Sequence, residues 1–413
     1  MQIHTSRWFI ALSLLIALAV PAFATVQPLG KPFRVNRTDD FQPQNPVAAF
    51  AASGNSLVVW ENGQSGLRGL FQRPDGTAAS SQLTLVANET LAGLREGTVR
   101  TRKDPAVAFL PNGSFLLAWT EERAYLRAEP FFEDRQVEDQ DVYIQRFEAS
   151  GTPSGARFRV NATEDGFQAV PKIAVLANGN ALVLWKSLLS DPAQGGIVGR
   201  LVSATGQPFG ADVKVSEDPT ADHPAVAAGR NGFLVAWDMV VDGQIDVFAR
   251  LYDASGAPVG AAGRVNPSAA GTQRWPAVAQ GANGNFLVAW QSYLTDRSQV
   301  HIYGRLLSQA GSFLSPSFSI SREEGTQLAP ALAPTKNGFL AAWLDWAGKS
   351  YGIRAVELTA TGSRSDSELW VTNSGVAKNY RKSIATDAKG GYLIPWESNA
   401  TRQQVIVARE LGQ

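Results

Sequence analysis

The sequence predicts an all-β chain of seven repeated units, each a sheet of four short antiparallel strands. Three observations predict it. A core line recurs, reading Pro224-Ala-Val-Ala-Ala-Gly-Arg-Asn-Gly-Phe-Leu-Val-Ala-Trp237 in its cleanest copy and Pro276-Ala-Val-Ala-Gln-Gly-Ala-Asn-Gly-Asn-Phe-Leu-Val-Ala-Trp290 in its near twin. The closing Trp returns at Trp60, Trp119, Trp185, Trp237, Trp290, Trp343 and Trp396, at intervals of 59, 66, 52, 53, 53 and 53 residues. A Pro stands 13 or 14 residues before six of them, at Pro46, Pro105, Pro171, Pro224, Pro276 and Pro330, and Ser383 takes that place in the last copy.

Each unit reads in the same order. The first strand follows the Pro, as in Ala225-Val226-Ala227, where a missing ladder donor costs least. A turn on Asn-Gly follows in five copies, and the expectation there is a tight hairpin in which both residues take positive φ. The second strand, Phe233 to Trp237, puts Phe233, Val235 and Trp237 on one face and Leu234 and Ala236 on the other. Both faces are apolar, so this strand is buried on both sides. The third strand, Asp246 to Tyr252, is echoed by Val300 to Leu306 and Ile197 to Leu201. A Gly turn at Gly151, Gly206, Gly256, Gly311 and Gly362 leads to a fourth strand such as Phe158-Arg-Val-Asn161 or Phe318-Ser-Ile-Ser321. Solenoid coils are shorter than this repeat, and a sandwich would not restart after four strands. The pattern therefore specifies a seven-bladed β-propeller of four-stranded antiparallel blades. The last copy stops after its third strand, at Val405 to Arg409. Its fourth is expected from Phe33-Arg-Val-Asn36, which matches Phe158 to Asn161. That N-terminal strand would complete the last blade, close the ring and remove its open edges.

Residues 1–24 read as a secretory signal: Arg7, an apolar run from Trp8 to Val20, and Ala22-Phe23-Ala24 before the cleavage point. The run is too short to span a bilayer. The expectation is a secreted monomer, periplasmic or extracellular, with residues 25–413 forming the propeller. Cysteine is absent, which removes disulfides, thiolate metal sites and Cys nucleophiles. Basic and acidic residues balance at 37 each, which disfavours nucleic acid and anionic membranes as partners. Asp238, Asp242 and Asp246 are spaced four apart, which does not match the alternating ligands of a calcium loop. No metal and no cofactor are expected.

The repeated line covers nearly all of the chain beyond the leader and resembles, in architecture, the repeat-built propellers of secreted bacterial proteins. The signatures of Trp-Asp, kelch, sialidase and integrin-type repeats are missing, so the resemblance implies a fold and no named activity.

Residues present in every copy are read as scaffold. The seven Trp are expected in the core between blades, and the Arg at Arg73, Arg146, Arg200, Arg250, Arg305 and Arg409 are expected to tie neighbouring blades. Gln168, Gln273 and Gln327, three before the Pro, are read as loop structure. Three N-x-Ser/Thr matches, at Asn36, Asn88 and Asn161, recur at one repeat position, and two more fall at Asn112 and Asn399. Positions that differ between copies are candidates for function. They lie just before the repeated Pro and just after the repeated Trp, and would ring one mouth of the central channel. The candidate ligand residues are Lys103, Asp104, Asp222, His223, Arg274, Trp275, Arg381 and Lys382. Residues 120–141 form an unusually long connection in the second unit, read either as a binding loop overhanging that mouth or as a solvated insertion.

Three functions fit. The first is a secreted binding module for a glycan or an exported protein, since no catalytic motif is legible. The second is a polysaccharide-acting enzyme, a glycosidase or lyase. It would use Asp104 and Asp222 as paired carboxylates, His223 as acid or base, and Arg274 or Arg381 to stabilise negative charge. The third is a structural surface repeat. N-terminal sequencing of the exported protein is expected to begin at Thr25, and an exported chain still starting at Met1 contradicts the leader assignment.

Overall fold

The computed structural model describes residues 26–36, 40, 42–91, 98–129, 132–267, 271–293, 299–322, 325–346, 348–365, 367–376, 383–387, 389–398 and 405–412. Residues 1–24, read above as a secretory signal, and Asn399, Arg381 and Lys382 lie outside these. The fold is all-β and β-propeller-like. The fourth unit shows the plan: Asp222–Ala228, Gly232–Val241, Gln244–Asp253 and Pro258–Arg264 pair in sequence order, each antiparallel to the last. The first unit repeats it with Pro43–Phe50, Ser56–Asn62, Gly66–Gln72 and Leu83–Ala87, and the fifth with Thr272–Gln280, Phe286–Tyr293, Val300–Leu307 and Phe318–Ser319. The second and third units join through one parallel pair, Gln140↔Phe167, and the sixth and seventh through Val376↔Ser398.

The first strand of each unit lies against the first strand of the next. Asp222–Ala228 packs on Thr272–Gln280, which packs in turn on Gln327–Pro334. Pro43–Phe50 packs on Val99–Phe109 ahead of it and on Tyr392–Ser398 behind it. At the chain's beginning, Phe33–Arg34 pairs with Ala408 and Val407, and Gln27–Pro28 pairs with Gly412 and Leu411, so the first described strands sit on the last one. The Val35 amide donates to Ile406 O at 2.8 Å.

The alternation along the second strand supplies the core. Phe233, Val235 and Trp237 pack against Leu182 and Leu184 of the preceding unit, and Leu234 and Ala236 against Phe286, Val288 and Trp290 of the following one. The same exchange joins Trp343 to Leu287, Trp119 to Leu57 and Trp60 to Leu393. All seven repeated Trp are fully buried. Three indole N–H groups find acceptors on residues ahead of them in the chain: Trp185 on Gln168 at 2.8 Å, Trp290 on Gln273 at 2.9 Å and Trp60 on Asp40 at 3.1 Å. The recurring Gln residues are therefore indole partners. Gln327 instead accepts from His301 Nδ1 and Ser321 Oγ.

Three of the six repeated Arg bridge units through backbone carbonyls, while Arg73, Arg146 and Arg250 bond within their own unit, to Ala78 O, Glu148 and Gly260 O. Arg200 donates to Val160 O, Arg305 to Val265 O and Arg409 to Val371 O, each on the unit before. Asn36, Asn161 and Asn266 are buried, and their side-chain oxygens accept the amides of Ile406, Val142 and Val247 at 2.7–2.8 Å. At Asn36 and Asn161 the apparent glycosylation pattern is thus a strand-end cap.

Two expectations need correction. The Asn-Gly turns do not put both residues at positive φ. Gly113, Gly179 and Gly284 take φ of +86°, while each Asn folds its side-chain oxygen onto the amide two residues on. Gly is needed at position 232 for a different reason, because a Cβ there would meet Tyr252 O at 2.0 Å. Residues 120–141 are also not a loop. Phe115–Glu129 and Phe132–Phe147 pair antiparallel from Phe115↔Phe147 out to Glu129↔Phe132, so the connection is an extended hairpin. Its charges pair across strands: Arg123 meets Glu138 at 2.8 Å and Asp139 at 2.7 Å. Buried Arg102 pins its base, 2.8 Å from Glu89 and 3.3 Å from Glu121.

Trp237→Ala is expected to cost about 3–5 kcal/mol, the usual loss for a large aromatic in a packed core. Chemical denaturation checks it, and unchanged stability would contradict the core assignment.

Candidate functional site

The site grows from a backbone irregularity in the first strands. Asn45, Asp104, Val170, His223, Trp275 and Ala329 have φ between +50° and +59°, and each immediately precedes a repeated Pro. Such a conformation is disfavoured for residues with a Cβ, and the following Pro restricts it further. The ladder shifts register there, as between Asp222 and Ala225 or Arg274 and Ala277. The amide of the strained residue leaves its own sheet and donates to the side chain that follows the Trp of the preceding unit. Asn45 N reaches Glu397 Oε1 at 2.7 Å, Asp104 N reaches Glu61 Oε1 at 2.6 Å, and Val170 N reaches Thr120 Oγ1 at 3.0 Å. Trp275 N reaches Asp238 Oδ2 at 2.8 Å, and Ala329 N reaches Gln291 Oε1 at 2.9 Å. Bonds of this kind outweigh strain of about 1–3 kcal/mol, since a buried amide without them would lose its full desolvation cost.

Before Pro224 this bond is replaced by another. Lys186 follows Trp185 and offers no acceptor. The His223 amide turns instead to Asp222 Oδ1 at 2.8 Å. The Lys186 ammonium donates to Pro219 O at 2.9 Å and to Ala221 O. Burial pushes its pKa down, against the opposing pull of Asp222, Asp218 and Asp238.

Around His223 the side chains converge. Its Nδ1 lies 2.9 Å from Asp238 Oδ2 and 3.1 Å from Asp238 Oδ1. Asp238 is buried, so its carboxylate serves at once the His223 ring and the Trp275 amide of the next unit. A carboxylate only accepts, so Nδ1 is the donor of this contact. Nε2 lies 3.8 Å from Asp222 Oδ2. The Trp275 indole stacks on the imidazole, with centroids 4.0 Å apart and planes at 27°. Trp275 is 36% exposed, unlike the repeated Trp. The arrangement presents an imidazole held by a buried carboxylate and stacked on a partly exposed indole.

The structure thus brings Asp222, His223 and Trp275 together. Arg274 precedes Trp275 and is half-buried. Lys103 is committed elsewhere: its Nζ pairs with Glu122 Oε1 at 2.9 Å, and Glu122 also accepts from Gln140. Asp104 belongs to the second unit and Asp222 to the fourth, with Phe167–Val175 packed between their strands. Arg381 and Lys382 fall outside the described residues. Asp238 and Lys186 were not among the residues read as candidates. Their signal was available: the position after the repeated Trp reads Glu61, Thr120, Lys186, Asp238, Gln291, Leu344 and Glu397.

No family model and no curated protein matches this chain. Solved structures do. A protein of unknown function from Dyadobacter fermentans superposes with a TM-score of 0.53 at 14% identity, over 77% of this chain and 96% of that one. A PL25 polysaccharide lyase, an ulvan lyase bound to -[GlcA(1-4)Rha3S]-, superposes with a TM-score of 0.56 at 9% identity, over 92% and 96%. At these identities the likeness is one of fold.

Glu61→Ala removes the acceptor of three donors, Asp104 N, Asn45 Nδ2 and Gln44 Nε2. It is expected to cost about 2–4 kcal/mol in chemical denaturation. A loss below about 0.5 kcal/mol would show that the inter-unit bond is dispensable.

Proposed function

We propose that this chain is an exported seven-bladed β-propeller that acts on a polysaccharide, with His223 as the group that moves the proton. In this reading each sequence unit fills one blade. The N-terminal strands provide the outer strand of the last blade and close the ring, and residues 1–24 direct export. The observation that carries the functional part is the Asp238–His223–Trp275 stack. A binding module needs polar contacts and a platform. It has no use for a buried carboxylate aligned on the far nitrogen of an imidazole whose near nitrogen is left to accept. A fold shared with a polysaccharide lyase supports the same class of ligand.

In this role Asp238 holds the ring and stabilises the imidazolium formed when Nε2 takes a proton. Trp275 offers its face to a pyranose ring, whose axial C–H groups stack on an indole. Asp222 stands where it can accept the same proton or hold a hydroxyl. The paired-carboxylate alternative on Asp104 and Asp222 lacks support, because their strands are separated by a whole unit.

The test is release of reducing ends from a panel of polysaccharides by the leader-free chain. His223→Ala is expected to lower kcat by about 10²–10⁴-fold while the melting temperature holds. Trp275→Ala is expected mainly to raise KM. If the wild type binds a polysaccharide but releases nothing, and His223→Ala binds equally well, the surface is a binding module.

A further inference from the structure

We propose that Trp346 is a second sugar platform, so that a polysaccharide handled at His223 lies extended across the fifth and sixth units and is gripped several sugar residues away. This rests on the reading of the His223–Trp275 stack as the place where the polymer is handled, and adds to it where the rest of the polymer lies.

Among the described residues the open indoles are those of Trp275 and Trp346, 36% and 41% exposed. The seven repeated Trp are buried, and the Trp370 ring lies under the Arg354 guanidinium, 4.1 Å from its centroid. Trp346 stands three residues after the repeated Trp343, and that position changes character around the molecule. It is Gly63 and Glu122 in the first two units, Leu188 and Val240 in the next two, and Tyr293 and Trp346 in the fifth and sixth. It is aromatic only in the unit that carries Trp275 and in the one after it.

The strand pairing sets these aromatics along one row. Thr272 shares its strand with Trp275 and pairs with Tyr293, Tyr293 pairs with Val300, and Val300 bridges to Thr326 of the sixth unit. The Thr326 carbonyl accepts the Trp346 amide at 3.0 Å. Four strand spacings therefore lead from the strand of Trp275 to Trp346, about 19 Å along the row. Tyr293 stands on the way. Its hydroxyl accepts from Gln291 Nε2 at 3.0 Å, and Gln291 Oε1 takes the Ala329 amide of the sixth unit, so the ring leans over the join. Across the hairpin, Tyr351 meets Trp346 edge to face, with centroids 4.9 Å apart and planes at 61°, which steadies the indole and leaves it open. Its neighbours across the ladder and in the turn include Thr326, Lys349 and Ser350. A single open ring beside polar residues is not the contiguous apolar patch that marks a protein partner. It suits a pyranose, whose C–H groups stack on the ring while its hydroxyls reach the polar neighbours. A second platform raises affinity only for chains long enough to reach it, because that contact is then intramolecular.

Binding is measured by calorimetry in a His223→Ala background, so that no turnover intervenes. The probes are fragments of graded length cut from cellulose, xylan, mannan and polygalacturonate. At least one polymer is expected to show a step, its longer fragments binding about tenfold or more tightly than its shorter ones. Trp346→Ala is expected to erase the step without weakening the short fragments, and Trp346→Tyr to keep part of it, both at unchanged melting temperature. Trp275→Ala is expected to weaken fragments of every length. A second measurement leaves Trp346 in place: N-bromosuccinimide oxidises open indoles, and mass spectrometry locates the product. Long fragments are expected to protect Trp275 and Trp346, and short ones Trp275 alone. No step with any of the four polymers, a step that survives Trp346→Ala, or oxidation of Trp346 undiminished by long fragments each overturns the proposal. So does a dimer in which Trp346 is shielded without sugar. If the step and the protection hold but the unaltered chain releases no reducing ends, the enzymatic reading of His223 fails and the platform stands.

Discussion

The bond between a strained amide and a neighbour's side chain is the contact on which the rest of the structure depends. Every unit is a sheet with two apolar faces, and apolar burial alone sets no register between one sheet and the next. The buried Trp fills the space between sheets but slides as readily as any flat ring. What fixes the relative position is a directional bond from the pre-proline amide to the residue after the Trp, made at five interfaces with Glu397, Glu61, Thr120, Asp238 and Gln291. The bond requires positive φ just before the Pro, and the Pro in turn holds the strand after the bulge. At three interfaces Arg200, Arg305 and Arg409 make a second directional link, from the third strand to a carbonyl of the unit before.

This arrangement explains why the candidate site lies where it does. The interfacial position carries a Glu, Thr, Asp or Gln acceptor at five interfaces, and Lys186 or Leu344 at the other two. Asp238 fills it and has a second carboxylate face to spare, which holds His223. One interface earlier, Lys186 replaces the acceptor, the local bond is lost, and Asp222 takes the His223 amide instead. The departure from the repeat and the gathering of polar side chains fall on the same stretch of the molecule.

Much of the fold was legible from spacing. The period of the Trp, the Pro before them and the match of Phe33 to Asn36 with Phe158 to Asn161 predicted the strand order and the pairing of the first strand with the last. Alternation along Phe233 to Trp237 predicted which side chains share a face and that both faces are buried. The positive φ before the Pro was not legible, because six different residues occupy it and only the backbone is alike. The hairpin at residues 120–141 was missed because its charges read as a solvated loop, whereas Arg123 and Arg102 pair them within and against the sheet. His223, Asp222 and Trp275 were singled out because they vary between copies. Asp238 was passed over because its partner lies 15 residues away, joined by a register that only the bulge sets.

The protein carries its own reference for the central claim, which is that His223 is the group a polysaccharide meets. His301 is buried, with Nδ1 on Gln327 at 3.0 Å and Nε2 on Gln299 at 3.1 Å, so both its nitrogens are taken. Beyond residue 24 these are the two histidines. The most direct measurement is the imidazole ¹⁵N spectrum recorded while polysaccharide fragments are added. The account predicts that His223 Nδ1 carries the proton that faces Asp238, that its Nε2 resonance moves on addition, and that His301 stays still. A His223 with the opposite tautomer, or one whose resonances do not respond while the sugar binds, would contradict it.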